Sequence, residues 1–384
     1  MALKKKIYLD YNATTPVDVR VVDAMLPYFT EKFGNASSDH VFGWDAGEAA
    51  ENAREQIAGL LHCKPTGITF TSGATEAANL ALFGFCERNR AKGNHIITCK
   101  TEHKAILDAM KALESKGFEV TYLDVDAEGN IDIKELEQAI TSSTILVCLM
   151  LANNETGLIH PMHEIEKIVH SKDVKLMSDI TQAVGKIPVD LKKLNLDLAI
   201  FSSHKIYGPK GAGALYINKK NKVELDPYIF GGGQEKGMRP GTMNVPGIVG
   251  FGKAAEIAFS EMKAGSAGIL KLKNMLESDL KNIGGATINS EACDRLPNTT
   301  NISFENIDGN LLLRKLNNLA ISRGSACTSN TIQASHVLKS MGLSDDLALS
   351  SLRISLGSYT SIEDIEFAVK EITKTVNGLK RAMV

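Results

Sequence analysis

LDLAIFSSHKIYGPKGAGALYI, Leu196–Ile217, decides the reading of the fold. The apolar run LDLAIF reads as a buried strand, and GALYI reads as a second one. Between them lie Ser202, Ser203, His204 and Lys205, then a tight turn carrying Gly208, Pro209, Gly211 and Gly213. A lysine at the end of a buried strand is unusual, because burial penalises its charge. Desolvation lowers the pKa and frees the amine for Schiff-base chemistry. An exposed turn lysine is the competing reading. It leaves three phosphate donors beside Lys205 and the glycine-rich turn unexplained.

Working outward, the same alternation recurs. ITFT (Ile68–Thr71), HIITC (His95–Cys99), EVTYLDV, ILVCLMLA (Ile145–Ala152) and KLMSDI are short apolar runs, most of them followed by a helical pattern. Continuous apolar strands separated by helices predict a parallel sheet covered on both faces. After Pro246 the pattern changes to a long helical stretch, roughly Gly247 to Lys281, with a soft spot at Ala264–Gly268. Shorter β-like pieces, NISF and RISL, follow, with helices near Leu311–Asn317 and Ser361–Lys380. The expected division is a large α/β domain over 13–257. A smaller α+β domain, built from 1–12 and 258–384, carries Cys327.

Composition narrows the function classes. A chain of 384 residues with 43% hydrophobic and 23% charged residues is globular, so disordered and collagenous readings fall away. Lys+Arg is 43 against 45 Asp+Glu, and that balance gives no basic field for nucleic acid. The longest apolar run, Ile145–Ala152, is far below the ~20 residues that span a bilayer. Asp10 and Asn12 interrupt the N-terminal stretch before a signal-peptide core forms. Cys63, Cys86, Cys99, Cys148, Cys293 and Cys327 include no C-x-x-C pair. The expectation is a reducing cytoplasm, with no membrane and no nucleic acid.

Four further stretches carry candidate chemistry. In FTSGATEAANLAL (Phe70–Leu82) a strand ends, and a helix starts at Ala74–Thr75. Helix N-termini bind anions, and Thr75 as a plain helix cap is the competing reading. In SDITQAVGK (Ser178–Lys186), Asp179 at a strand end either caps a helix or faces a cationic ring nitrogen, as a carboxylate does in pyridoxal phosphate enzymes. His103, after HIITCKT, is either a surface cap or a functional imidazole. Cys327 lies in SRGSACTSN (Ser322–Asn330), which has no apolar period and reads as a mobile loop, so its thiol is either an accessible nucleophile or an incidental one. His170 and His336 read as solvent-face residues.

Taken in order, these motifs resemble the pyridoxal phosphate-dependent cysteine desulfurases of the NifS/IscS type. The resemblance runs from YLDYNATTPVD (Tyr8–Asp18) and FGNASSDH (Phe33–His40) through SGATEAANLA, TEHKAIL, NNETG (Asn153–Gly157) and SDITQAVGK. It continues with SSHKIYGPKGAGALYI, GGGQEKGMRPGTMNVP (Gly231–Pro246) and SRGSACTS, and closes with SSLRISLGSYT (Ser350–Thr360). The G-S-A-C-T-S run is that of the family's first group. Ala36 stands where the family often has proline. Family members dedicated to scaffold loading carry a tail beyond the last helix, whereas this sequence ends at Val384, which leaves the acceptor open.

The resemblance implies the type I, aspartate aminotransferase-like fold, pyridoxal 5'-phosphate as cofactor and a homodimer. It implies conversion of L-cysteine to L-alanine, with sulfur passed to Cys327 as a persulfide. Lys205 is the implied cofactor lysine, and Ala74, Thr75, Ser202 and His204 the phosphate cradle. Thr242 is implied to reach that phosphate from the other subunit. Asp179 pairs with the ring nitrogen, Gln182 and Asn154 lie near the ring hydroxyl, and His103 stacks on the ring and moves protons. Arg353 grips the substrate carboxylate, assisted by Asn35, with Asn154 also on the substrate side. The implied partner is a sulfur acceptor or iron–sulfur scaffold, with Cys327 as a transient cluster ligand shared with it. The same fold also hosts selenocysteine or cystine lyases and aminotransferases, and the last need no loop thiol.

Overall fold

The computed structural model describes residues 6–324 and 333–381. Strand β1 (Ile7–Tyr8) opens the chain. Seven strands then build one sheet: β2 (Ile68–Thr71), β3 (His95–Cys99), β4 (Glu119–Leu123), β5 (Thr144–Cys148), β6 (Lys175–Asp179), β7 (Leu198–Ser202) and β8 (Gly213–Ile217). Their spatial order is β2-β8-β7-β6-β5-β3-β4. The apolar runs read from the sequence are these strands, and helices cover both faces. One buried cluster joins Ile57, Leu176, Phe201 and Phe251, and a second joins Leu82, Met110, Met177 and Leu215 on the other side.

All neighbours from β4 to β7 are parallel, but β8 runs antiparallel to both β7 and β2. The large domain is thus built on the expected mainly parallel sheet, and β8 is its exception for a geometric reason. A parallel crossover needs a dozen or more residues, usually helical. Between β7 and β8 the chain has only the turn that carries Lys205, so it must fold straight back. Tyr207 takes a left-handed φ of 64° in that turn. It is held there because its N–H donates to Thr15 Oγ1 at 2.9 Å.

A smaller sheet, in the order β12-β10-β9, follows from β9 (Ala286–Ile288), β10 (Thr299–Phe304) and, after β11 (Leu319–Ala320), β12 (Leu352–Ser355). β1 pairs in parallel with β11, and Ile7 and Leu9 pack in the small-sheet core with Ile302, Ile354 and Ile372. One continuous helix, Val245–Leu280, crosses between the two cores. Its Ile248 and Phe251 belong to the large core, and Leu276 and Leu280 to the small one. The soft spot at Ala264–Gly268 stays helical. We propose that the division between the two units falls inside this helix, near residue 257.

Candidate active site

Five strands deliver their carboxyl ends to one place. β2, β3, β5, β6 and β7 end at Thr71, Cys99, Cys148, Asp179 and Ser202. Beyond those ends lies a cleft of about 480 Å³, where ligands of open α/β sheets bind. Ala74, Thr75, His103, Asn154, Asp179, Gln182, Ser202, His204, Lys205 and Arg353 all line it. Residues spread over 280 positions of sequence are thus neighbours in space. Asn35 and Thr242 are not among them. Asn35 is exposed, and its Oδ1 accepts from the Ser37 N–H at 3.0 Å. Thr242 is exposed in an adjoining hollow that shares Ser72 and Gly211 with the cleft. Cys327 lies outside the described residues.

Lys205 closes a 3-10 turn, Ser203–Lys205, directly after β7. Its amine donates to the Asn12 and Ala13 carbonyls, each at 2.7 Å. His204 Nδ1 meets Thr14 Oγ1 at 3.1 Å. Burial, helped by the Lys205, Lys210 and Lys186 charges, pushes this imidazole down to about 4, so it is neutral at physiological pH. The ATT segment, Ala13–Thr15, is therefore the floor on which the Lys205 turn rests.

The helix Ala74–Asn89 begins with Gly73 as its N-cap and receives no side-chain cap. Thr75 does not cap it, which removes that reading. A Cβ on Gly213 would lie 2.5 Å from Gly73 Cα, so only glycine lets β8 press this close to the helix start. Glu76 in the first turn accepts from the Ser72 N–H at 2.8 Å and is paired with Arg239 at 2.7 Å. The desolvation that would raise its pKa is outweighed by these bonds, and the carboxyl stays below its usual range.

His103 is both a cap and a cleft residue. It is the N-cap of Lys104–Glu114, and its Nδ1 accepts from the Ala105 N–H at 3.1 Å. Burial lowers its pKa against the pull of the Asp179 charge. A neutral ring with Nδ1 accepting carries its proton on Nε2. Asp179 Oδ1 accepts from the Thr181 N–H at 2.9 Å. Arg353, on β12 and only 2% exposed, donates through Nη2 to Asp10 Oδ1 at 2.7 Å and through Nη1 to Asn154 O at 3.2 Å.

Several residues of the site carry no sequence signal of their own. Asp10 is one, although it lies in the YLDYN stretch of the family likeness. Glu102 and Glu155 are fully buried, and burial raises both carboxyl pKa values. Glu102 Oε1 accepts from the Met150 N–H at 2.5 Å, and the Glu102 carbonyl meets His336 Nε2 at 2.9 Å. Glu155 Oε2 accepts from Ser335 Oγ at 2.5 Å, and a Cβ on Gly324 would lie 2.3 Å from that same oxygen. The carboxyl thus sits between Gly324 and Ser335, on either side of 325–332. His336 and His170 are not solvent-face residues: both are partly buried and bonded. His336 has no local signal, because its partner Glu102 is distant in sequence; His170 has one, the Glu166 carboxylate four residues earlier on its own helix.

The class-V aminotransferase family model matches residues 7–367 of this chain. A cysteine desulfurase IscS of Anaeromyxobacter sp. (strain Fw109-5) is 48% identical over 380 residues, covering 98% of this chain and 94% of that one. The chain belongs to the class-V aminotransferases, among the cysteine desulfurases. A solved NifS-like protein superposes on this desulfurase-family chain with a TM-score of 0.91 at 41% identity, over 97% of this chain and 100% of the other. A structure described as SspA in complex with cysteine gives a TM-score of 0.82 at 37% identity, covering 92% and 100%. The family implies pyridoxal 5'-phosphate. Among the described residues, no helix is long and apolar enough to cross a membrane, and no His/Cys/Asp/Glu group is placed to hold a metal.

Proposed function

We propose that this chain converts L-cysteine to L-alanine and takes the sulfur onto Cys327 as a persulfide, for delivery to an acceptor protein. The observation that carries the reading is the joint presence of Lys205, Asp179, His103 and Arg353 on one cleft, in a chain so similar to cysteine desulfurases. The SspA structure, named for its bound cysteine, supports the substrate. The balance closes without an outside oxidant. The Cβ–S bond of cysteine breaks, the Cys327 S–S bond forms, the carbon is reduced to a methyl group and the sulfur is oxidised.

The cleft's donor set fits pyridoxal 5'-phosphate. A half-buried amine, an acid at a strand end and an uncapped helix start beside Ser202 and His204 match its carbonyl, ring nitrogen and phosphate in kind. When bound, the group supplies an electrophilic carbonyl carbon and a ring that takes up an electron pair from the substrate. Lys205 would hold it through Nζ and, once released, take the substrate Cα proton on the same atom. The Asp179 carboxylate would keep a proton on the ring nitrogen. His103 offers its Nε2–H to the cleft. Arg353 would orient the substrate carboxylate through its guanidinium fork.

A homodimer completes the proposal. Asn35 and Thr242 stay out of their own chain's cleft, which fits a contribution across a subunit boundary. Between residues 26 and 44 Leu26, Phe29, Phe33, Phe42 and Trp44 are all exposed, Phe33 to 67% and Trp44 to 61%, and Phe33 stacks on Phe42. A second copy is the fitting cover for such a face. An iron–sulfur scaffold as sulfur acceptor, sharing Cys327 as a cluster ligand, is part of the same reading, as is a cytoplasmic location, which the five unbonded cysteines among the described residues suit.

The test is product analysis with L-cysteine, pyridoxal 5'-phosphate and a reducing thiol. Equal alanine and sulfide without pyruvate is the expected outcome. Pyruvate in place of alanine would mean β-elimination and would overturn the persulfide step.

A further inference from the structure

Gln182 lines the cleft, is 6% exposed, and its side-chain amide is held at both ends. Oε1 accepts from Lys186 Nζ at 2.5 Å, and Nε2 donates to the Asn12 carbonyl at 3.0 Å. Turning the amide over would aim Nε2–H at the Lys186 amine and Oε1 at the Asn12 carbonyl oxygen. The contact with the Asn12 carbonyl would be repulsive in every state, and the contact with Lys186 would be repulsive when that amine is charged. The Asn12 carbonyl cannot turn away, because it also accepts from Lys205 Nζ at 2.7 Å. The Asn12 side chain is fixed as well: it donates to Asn154 O and Thr299 Oγ1, and accepts from Asn298 Nδ2 and Lys186 Nζ.

Lys186 reaches this amide from behind. It does not line the cleft but a separate hollow with Tyr207, Ser266 and Ser358, and its amine points inward to Gln182 and Asn12. Burial, and then the charges of Lys205 and Arg353, push its pKa well below the usual lysine range. An ammonium only donates and rejects the turned amide outright; a neutral amine could also accept from Nε2–H, and in that state the Asn12 carbonyl rejects Oε1 while Lys186 adds its bond to the amide held the observed way. Of the two Nε2 hydrogens, one goes to Asn12 and the other has no partner among the described residues.

We infer that Lys186 is a positioning residue: its amine locks the Gln182 amide so that Gln182 presents an N–H donor, and not an acceptor, to whatever occupies the cleft. The matching ligand chemistry is an oxygen acceptor, such as an aromatic oxide. The inference rests on the proposed cofactor reading, since pyridoxal 5'-phosphate carries such an oxygen on its ring.

The test is the rate at which reconstituted holoenzyme loses pyridoxal 5'-phosphate on dilution, followed through its visible absorption band. Four proteins are compared: wild type, Lys186→Met, Gln182→Ala and the double variant. Lys186→Met is expected to speed the loss about five-fold, the size of one hydrogen bond. In the Gln182→Ala background the same change is expected to add less than about two-fold, because the lysine acts through that amide. Lys186→Gln, which keeps an N–H donor, is expected within about two-fold of wild type; where Lys186→Met does not fold, Lys186→Ala takes its place in the cycle. An unchanged loss rate in Lys186→Met overturns the inference, and so does an equal acceleration in both backgrounds. A wild-type protein that shows no band with pyridoxal 5'-phosphate overturns the cofactor reading and this inference together.

Discussion

Replacing Asp10 by asparagine keeps the shape of the Arg353 partner and removes its charge. Arg353 is 2% exposed, and its Nη2 lies 2.7 Å from Asp10 Oδ1. A hydrogen bond to a charged group contributes about 1.5–3 kcal/mol. The Asp10 side chain retains 18% exposure, so some water reaches it and the lower half of that range applies, about 2 kcal/mol. With ~2.1 cal/mol/K of unfolding entropy per residue, 384 residues give about 0.8 kcal/mol/K. Asp10→Asn is therefore expected to lower Tm by about 2–3 °C. The proposed role of Arg353 adds a second expectation. A ligand carboxylate seated on the guanidinium returns the missing charge, so saturating L-alanine is expected to raise Tm more in Asp10→Asn than in wild type. Calorimetry with and without L-alanine measures both. A Tm within 1 °C of wild type would refute the energetic argument. An equal ligand shift in both proteins would refute the placement of the carboxylate on Arg353.

Cys327→Ser is expected to cut alanine release from L-cysteine at least ~100-fold while leaving the visible cofactor band intact; an unchanged rate would point to an aminotransferase-like reaction instead. Lys205→Ala is expected to abolish both turnover and that band, read by absorbance on reconstitution. His170 is held between Asp197 and Glu166, each at 2.8 Å, and the bond to Asp197, then burial working against it, set a folded pKa above the ordinary value. The charged pair's contribution is then fully present below the unfolded pKa of about 6.5 and fades as pH rises through the folded one. The Tm gap between wild type and His170→Gln should accordingly shrink as pH increases, and a gap that widens would contradict it. Phe29→Glu with Trp44→Glu is expected to convert a species of twice the 41.5 kDa chain mass into a monomer, measured by light scattering.

Much of the architecture was legible because its cause is local. ITFT, HIITC and LDLAIFS are apolar enough to be strands wherever they fall, and the Lys205 turn announces itself by sitting after one of them. The reversed direction of β8 was also within reach, since the turn before it is too short for a crossover, but the apolar run alone says nothing of direction. Strand order could not be read, because it depends on pairings between distant segments. The same limit hid Asp10, Lys186 and Glu155. Asp10 and Glu155 are ordinary charged residues by local pattern and acquire meaning only from Arg353 and Ser335 across the fold; Lys186 has its partner Gln182 four residues away, but what gives the pair its sense is the distant Asn12. Asn35 and Thr242 show the reverse case: their motifs were plain, yet within one chain they stand apart from the cleft.

The pairing of β1 with β11, and of Asn12 with Ser355, also sets a timetable for synthesis. The Asn12 N–H and Ser355 Oγ are joined at 2.9 Å across 343 residues. At ~5–20 residues per second, the ribosome needs on the order of 17–69 s to make that stretch. Until β10 and β11 emerge, Ile7 and Leu9 have no small-sheet core to enter, and until β12 follows, the floor under Lys205 lacks its far anchor. The large sheet can close early on its own strands, but the cleft is finished only after β12 emerges. The nascent chain is therefore expected to present its N-terminal strand to chaperones for most of its synthesis, and to become competent for its cofactor near the end.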